Sequence, residues 1–197
     1  MDSKVLEQVN PHMEKIYLCI RFGFNQAILE IESMSKPISN TTKSNLIRDY
    51  IISAVKDNFA EDMLFLSKRL VSVKIGNILI RFKKLNRKSR VAGNIPTKQA
   101  RNFSEQRLRL IEQCQTVNLN AGYTIDKSGQ KIESIFLTCP KNQFENHWVL
   151  NIGDYIENSL VVPKPAIVRH IEQYQEIKVA AKEKVAQERK LRRAGNE

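Results

Sequence analysis

Apolar side chains recur three and four positions apart along the first sixty residues, which is the spacing of amphipathic helices. The pattern predicts a helix over residues 3–34, in which Asn10 acts as a cap and Pro11 occupies a first-turn position. Gly23 lies in the middle of this helix and weakens it. A second helix is predicted over residues 42–59, and its candidate caps are Asn40, Thr41 and Thr42.

From residue 70 onward the apolar positions alternate with polar ones, which is typical of β-strands. Gly76-Asn77 predicts the turn of one hairpin, and residues 126–129 predict the turn of another. A helix between them has Thr97 as its cap or Pro96 as its first residue, and the sequence leaves both open. The predicted elements of this region are a helix over residues 97–114 and strands over residues 70–75, 78–85, 117–125, 132–138 and 147–152.

The order of these elements predicts an α+β fold, with N-terminal helices packed on a mostly antiparallel sheet of about five strands. Helices and strands are segregated along the chain, which favours this class over repeated βαβ units. A single domain is expected over residues 1–162, divided into a helical part (1–60) and a sheet part (68–153). A charged helix over residues 166–193 is expected to form a C-terminal arm within a tail of residues 163–197.

The positive charge is concentrated in one segment. The chain has 197 residues and a formal net charge of +11, yet residues 68–109 contain 13 basic residues and one acidic residue, Glu105. The rest of the chain is therefore close to neutral. Such a segment favours a polyanionic partner, either nucleic acid or an acidic protein, although it could also be an ordinary solvated surface. No apolar run approaches the 18 or so residues of a spanning helix, and the tail has too few apolar residues to insert into a membrane.

The basic segment predicts a phosphate-binding surface built from a strand, a loop and a helix N-terminus. Alternation places Arg81 and Lys83 on one face of the strand and Ile80 and Phe82 on the other. Few aromatic residues accompany the cations, so contact with the nucleic-acid backbone is expected in preference to base readout. The candidate nucleic-acid-binding residues are Arg81, Lys83, Lys84, Arg87, Lys88, Arg90, Asn94, Thr97, Lys98 and Arg101.

Catalytic signatures are absent from the sequence. None of the common nucleotide-binding, hydrolase or metallopeptidase motifs occurs, the three histidines lie far apart, and no metal or cofactor is predicted. Cys139 and His147 are a possible nucleophile and base. Asp126 and Glu133 lack the lysine that a two-metal nuclease needs. A metal-independent ribonuclease remains an alternative, with candidates Arg81, Lys84, Arg87, Gln106 and Tyr123.

The cysteine pattern and the N-terminus indicate a cytoplasmic protein. Cys19, Cys114 and Cys139 form an odd set without a CxxC motif, which argues against a disulfide framework. No basic and apolar leader follows Met1.

Several short motifs, at residues 81–85, at residues 94–100 and around Gly122-Tyr123 and Cys139-Pro140, resemble those of an uncharacterised bacterial family. The resemblance covers residues 42–152, and a Leu-Pro-Gly-type segment of that family has no counterpart in residues 110–115. Members tend to be encoded beside a helix-turn-helix repressor and a zinc metallopeptidase in prophage, defence or toxin–antitoxin-like loci. The resemblance to this family is carried by residues 81–85, 94–100, Phe103, Gln106, Gly122, Tyr123, Asp126, Gly129, Cys139, Pro140 and Trp148.

The sequence thus favours a nucleic-acid-binding accessory protein of such a locus. The resemblance implies a bacterial setting and, as partners, the repressor or metallopeptidase of the same locus. Two alternatives stay open: a ribonuclease-like toxin, and an interaction subunit that docks a partner through its C-terminal helix.

Overall fold

A computed structural model describes residues 3–67, 70–93, 97–107 and 116–159. Its first layer is helical and comprises α1 (Ser3–Val9), α2 (Met13–Ser33) and α3 (Asn40–Asn58). A 3-10 turn, Asn10–His12, separates α1 from α2, so the predicted helix over residues 3–34 is interrupted. Asn10 does not cap α2: the cap position is His12, and the Asn10 side chain instead accepts a hydrogen bond from the Tyr155 hydroxyl at 2.8 Å.

Helix α3 begins at Asn40, two residues earlier than the spacing of its apolar residues predicted. Ser39 is its cap, because the Ser39 backbone is extended and its hydroxyl accepts a hydrogen bond from the Thr42 amide at 3.1 Å. The predicted caps were therefore wrong. The three predicted candidates, Asn40, Thr41 and Thr42, all lie inside the helix.

The second layer is a six-stranded sheet with strand order β1-β2-β3-β4-β5-β6, and it confirms the α+β class. The first strand of the sheet and the short helix α5 (Ile152–Ser159) were not predicted from the sequence. The strands are β1 (Leu64–Ser67), β2 (Leu70–Ile75), β3 (Ile78–Lys84), β4 (Val117–Ile125), β5 (Ile132–Pro140) and β6 (Asn146–Asn151).

One strand pair departs from the predicted antiparallel pattern. Strands β3 and β4 are parallel, whereas the other neighbours are antiparallel. A parallel pair needs a crossover connection. The chain between these strands contains helix α4 (Lys98–Ser104), so the fold includes one strand–helix–strand unit.

Helix α4 is shorter than predicted. It ends at Ser104, and Gln106 then adopts a left-handed backbone with φ of 57°. The predicted helix over residues 97–114 is therefore wrong beyond Ser104 as far as Arg107, and residues 108–115 lie outside the described part. Thr97 caps α4 by accepting a hydrogen bond from the Ala100 amide at 3.2 Å, which decides between the two predicted starts.

The two faces of the sheet differ in chemistry. Helices α2 and α3 pack on one face, and the buried side chains beneath them are apolar, such as Ile80, Leu119 and Leu137. Helices α2 and α3 approach closely at Gly23, since a Cβ there would lie 2.5 Å from the Ile51 Cα atom. The other face contains the buried polar residues Ser72, Arg81, Asn118, Asn120, Thr124 and Thr138.

The described residues from 3 to 158 belong to one compact unit. The tail over residues 163–197 and its predicted helix lie outside the described residues. Within the described ranges, no helix has both the length and the apolar character needed to cross a membrane.

Candidate nucleic-acid interface

Two elements cover the polar face of the sheet: the basic loop, defined as residues 85–93, and helix α4. The Arg90 guanidinium lies 4.4 Å from the ring centroid of Phe136, a residue of that face. Phe103 of α4 packs in the same way, with its ring centroid 3.9 Å from the Arg81 guanidinium carbon. Because both elements rest on one face of the sheet, their exposed cations are presented on the same side of the protein.

The start of the basic loop is packed tightly against β4. Leu85 covers Gly122, and a Cβ at position 122 would lie 2.4 Å from the Leu85 Cγ atom. Glycine is required there because no larger residue leaves room for Leu85. Leu85 also forms an isolated bridge with Ala92, which closes the base of the loop.

Side chains fix the tip of the basic loop. Asn86 Oδ1 accepts hydrogen bonds from the amides of Lys88 and Ser89, at 2.9 and 3.2 Å. Asn146, the first residue of β6, donates to the carbonyls of Ser89 and Arg90, at 3.3 and 3.2 Å. Arg90 has a left-handed φ of 57°, which costs conformational energy in a residue with a Cβ. The loop is therefore held in one shape by contacts from other strands.

Gln106 anchors the end of α4 to two strands. Its Oε1 atom accepts from the Asn118 amide at 2.7 Å, and its Nε2 atom donates to the carbonyls of Asn118 and Pro140, at 2.9 and 2.8 Å. The left-handed backbone of Gln106 directs the side chain into this position. In the sequence, Gln106 is a ribonuclease candidate and one of the residues that carry the family resemblance, and no local signal predicts its structural contacts.

The structure divides the predicted cations into three groups. Arg81, Lys83 and Arg90 are buried or half-buried, and burial lowers the pKa of Arg81 to about 10. Burial, followed by the nearby charges of Arg81 and Arg48, also lowers the pKa of Lys83. The prediction that Arg81 lies on the opposite face of the strand from Ile80 and Phe82 is confirmed. However, Arg81 is only 5% exposed, so it is not part of an open surface. Lys83 borders a cleft of about 120 Å³ beside α3.

The second group consists of cations that already have an acidic partner. Arg87 forms a two-pronged ion pair with Glu133 of β5, and this pairing raises the pKa of Arg87 and lowers that of Glu133. Arg107, which was not a candidate, is also paired, with its Nε atom 3.2 Å from a carboxylate oxygen of Glu105.

The third group consists of exposed cations: Lys84, Lys88, Lys98 and Arg101. Three of them, Lys88 of the basic loop and Lys98 and Arg101 of α4, are called here the basic rim. Lys84 is the last residue of β3, and alternation places it on the helical face of the sheet, where it borders the cleft beside α3. Within the described ranges, no carboxylate lies within 4 Å of any of these cations. Thr97 is exposed but its hydroxyl is used in capping, and Asn94 lies outside the described residues. Because α4 has only seven residues, its N-terminus adds little to the attraction of anions.

The five ribonuclease candidates do not meet at one site, although Lys84 and Tyr123 are register partners that line the same cleft. Arg81 lies on the polar face of the sheet, whereas Tyr123 packs against Phe24 on the helical face, with ring centroids 5.7 Å apart. Burial raises the pKa of Tyr123 well above its usual value, so its hydroxyl stays protonated at neutral pH.

The predicted nucleophile and base, Cys139 and His147, are also separated. Cys139 is buried on the helical side of the sheet, where burial raises its thiol pKa to about 11. Its cross-strand partner in β6 is Trp148, so the preceding residue, exposed His147, lies on the opposite face. Among the described residues, no group of three or more potential ligands could hold a metal ion.

A scan against protein-family models and searches for similar curated proteins and solved structures found no match. The resemblance drawn from short motifs therefore stays a prediction.

Proposed function

We propose that this protein binds nucleic acid through phosphate contacts made by the basic rim. One observation carries the proposal: three exposed cations without acidic partners, among the described residues, come from two elements that cover one face of the sheet. Lysine and arginine side chains of this kind neutralise phosphates and release counterions. The fixed shape of the basic loop lowers the conformational entropy that binding would cost.

The chemistry of the rim favours backbone contact over sequence readout. Phe103 and Phe136 are engaged with Arg81 and Arg90, so neither ring is free to stack on a base. We therefore propose binding that depends weakly on sequence and strongly on salt, to either DNA or RNA.

The test is a fluorescence anisotropy titration of labelled DNA and RNA duplexes against the full chain, repeated over a range of salt concentrations. If the three rim cations each neutralise one phosphate, the slope of log affinity against log salt should be about −2.7 for B-DNA. Substituting Lys88→Gln or Arg101→Gln should each reduce the steepness of that slope by about 1. A matched control is Lys36→Gln, because Lys36 is exposed just after α2, on the other side of the sheet.

A substitution in the Arg87–Glu133 ion pair should strengthen nucleic-acid binding, in contrast to the rim substitutions. Glu133→Gln removes the acidic partner of Arg87 and adds a free cation beside the rim, so affinity and salt dependence should both increase. If binding is undetectable at low salt, or if Lys36→Gln weakens it as much as Arg101→Gln, the proposed surface is wrong.

A further inference from the structure

A continuous row of buried polar side chains crosses the face of the sheet beneath α4. Its members lie directly opposite one another in the strand register: Ser72 of β2 pairs with Arg81, Arg81 with Asn120, and Asn120 with Thr138. All four residues are 5% exposed or less. Buried faces of sheets are normally apolar, as the helical face of this one is, so a polar row requires a physical explanation.

Arg81 is the charged member of the row and has no counter-charge. Among the described residues, no carboxylate lies within 4 Å of its guanidinium, and its Nε atom is buried without a hydrogen-bond partner. The ring of Phe103 is, among the described residues, the contact that offsets its charge. A buried cation without an anion is strongly unfavourable, and burial lowers the pKa of Arg81 to about 10.

A second unpaired donor lies on the same row. Thr138 Oγ1 is buried and has no hydrogen-bond partner. Arg81 and Thr138 are separated by one strand, which places their backbones about 10 Å apart with Asn120 between them. An arginine side chain is long enough to extend its guanidinium over the intervening residue. A small anion above Asn120 would therefore lie within reach of all three side chains.

We propose that this row is a binding site for a phosphate-sized oxyanion, held by Arg81, Asn120 and Thr138. The planar guanidinium suits an oxyanion, and the amide and hydroxyl supply neutral donors on its other side. Phosphate is favoured over a carboxylate because Lys83, which interacts electrostatically with Arg81 and Arg48, adds further positive charge nearby.

The site differs from the proposed nucleic-acid surface. Arg81 is 5% exposed, so the backbone of a duplex cannot reach it, whereas a free oxyanion needs much less space than a duplex. The rim residues that would bind a duplex are not members of the row. The two proposals can consequently fail independently.

The first test follows the thermal unfolding midpoint of the full chain in sodium phosphate, sulfate or acetate at constant ionic strength. The midpoint should rise and saturate with phosphate, because a ligand that binds only the folded state stabilises it. Arg81→Met should abolish this response while keeping oligonucleotide binding. Arg101→Gln, the matched control, should keep the phosphate response and weaken oligonucleotide binding. An equal phosphate response in Arg81→Met, no response in the native protein, or a response to acetate alone would overturn the proposal.

A second measurement does not depend on a variant of Arg81 folding. The NMR signal of the Arg81 Nε–H group should shift on addition of inorganic phosphate to the native protein, in parallel with the thermal response. Thr138→Val removes one donor without changing the shape of the side chain, and it should weaken phosphate binding about tenfold. A signal that does not move at saturating phosphate would refute the site.

Discussion

Helices α2 and α3 approach closely at Gly23, so the substitution Gly23→Ala should change the stability of the protein through two effects of opposite sign. Intrinsic helix propensity favours Gly23→Ala by about 1 kcal/mol. The structure opposes it, because the new Cβ would lie 2.5 Å from the Ile51 Cα atom, 2.6 Å from the Ile51 nitrogen and 2.9 Å from the Tyr50 carbonyl carbon. These are backbone atoms, which cannot rotate away, so the helices must separate by about 1 Å to restore ordinary contact distances.

Overpacking of a buried contact usually costs about 1–3 kcal/mol, and contacts this short with backbone atoms belong at the upper end, about 2–3 kcal/mol. After the gain in helix propensity is subtracted, Gly23→Ala should lower the free energy of unfolding by about 1–2 kcal/mol. In urea, this corresponds to a decrease in the midpoint of roughly 0.5–1 M with an unchanged m-value. The assay is equilibrium denaturation followed by circular dichroism and by the fluorescence of Trp148.

A matched control is Gly153→Ala, the same chemical change in the first turn of α5. There the nearest atoms to the new Cβ lie 3.4 and 3.8 Å away, so the variant should be neutral or more stable by up to about 1 kcal/mol. Adding Ile51→Ala to Gly23→Ala should give no rescue, because the clash is with backbone. The reasoning is refuted if Gly23→Ala is as stable as the native protein, or if Ile51→Ala restores its stability.

Two further predictions concern titratable groups. The Ser128 hydroxyl and the backbone amides of residues 129–131 lower the pKa of Asp126 to about 2, so its contribution to stability should be present above about pH 4 and lost as the pH falls towards 2. Urea midpoints of Asp126→Asn should therefore vary less with pH in this range, whereas profiles parallel to the native one would contradict the assignment. Burial raises the thiol pKa of Cys19 to about 12 and of Cys139 to about 11. In a Cys114→Ser variant, both thiols should react with a disulfide reagent at pH 8 only as fast as the fold opens, and immediate reaction of either would be inconsistent with this structure.

Local patterns along the chain predicted the elements whose residues signal their own conformation. The hairpin of β2 and β3 follows from alternation around Gly76-Asn77, and both strands and the turn occur where they were expected. Strand β4 also has its predicted bounds. The bias of charge towards residues 68–109 is likewise a property of the sequence, since it needs only counting.

The exposure of those charges was decided by contacts between residues that are distant in the chain. Arg81 alternates with apolar residues and so reads as solvent-facing, but α4 covers it and β4 places Asn120 beside it. Arg87 reads as a free cation until Glu133, 46 residues later, pairs with it. A period of two reports which face of a strand a side chain occupies, and it contains no information on whether a second layer covers that face.

The local range of sequence patterns also explains the remaining differences between the prediction and the structure. The parallel pairing of β3 with β4, the contacts of Gln106 and the close packing at Gly23 all depend on distant segments. Gly23 in particular is a weak helix residue by propensity, yet it is the position that lets α2 and α3 pack together. Propensity and periodicity act over a few residues, whereas burial is a property of the assembled layers, so the tertiary structure alone separates the buried Arg81 from the exposed basic rim.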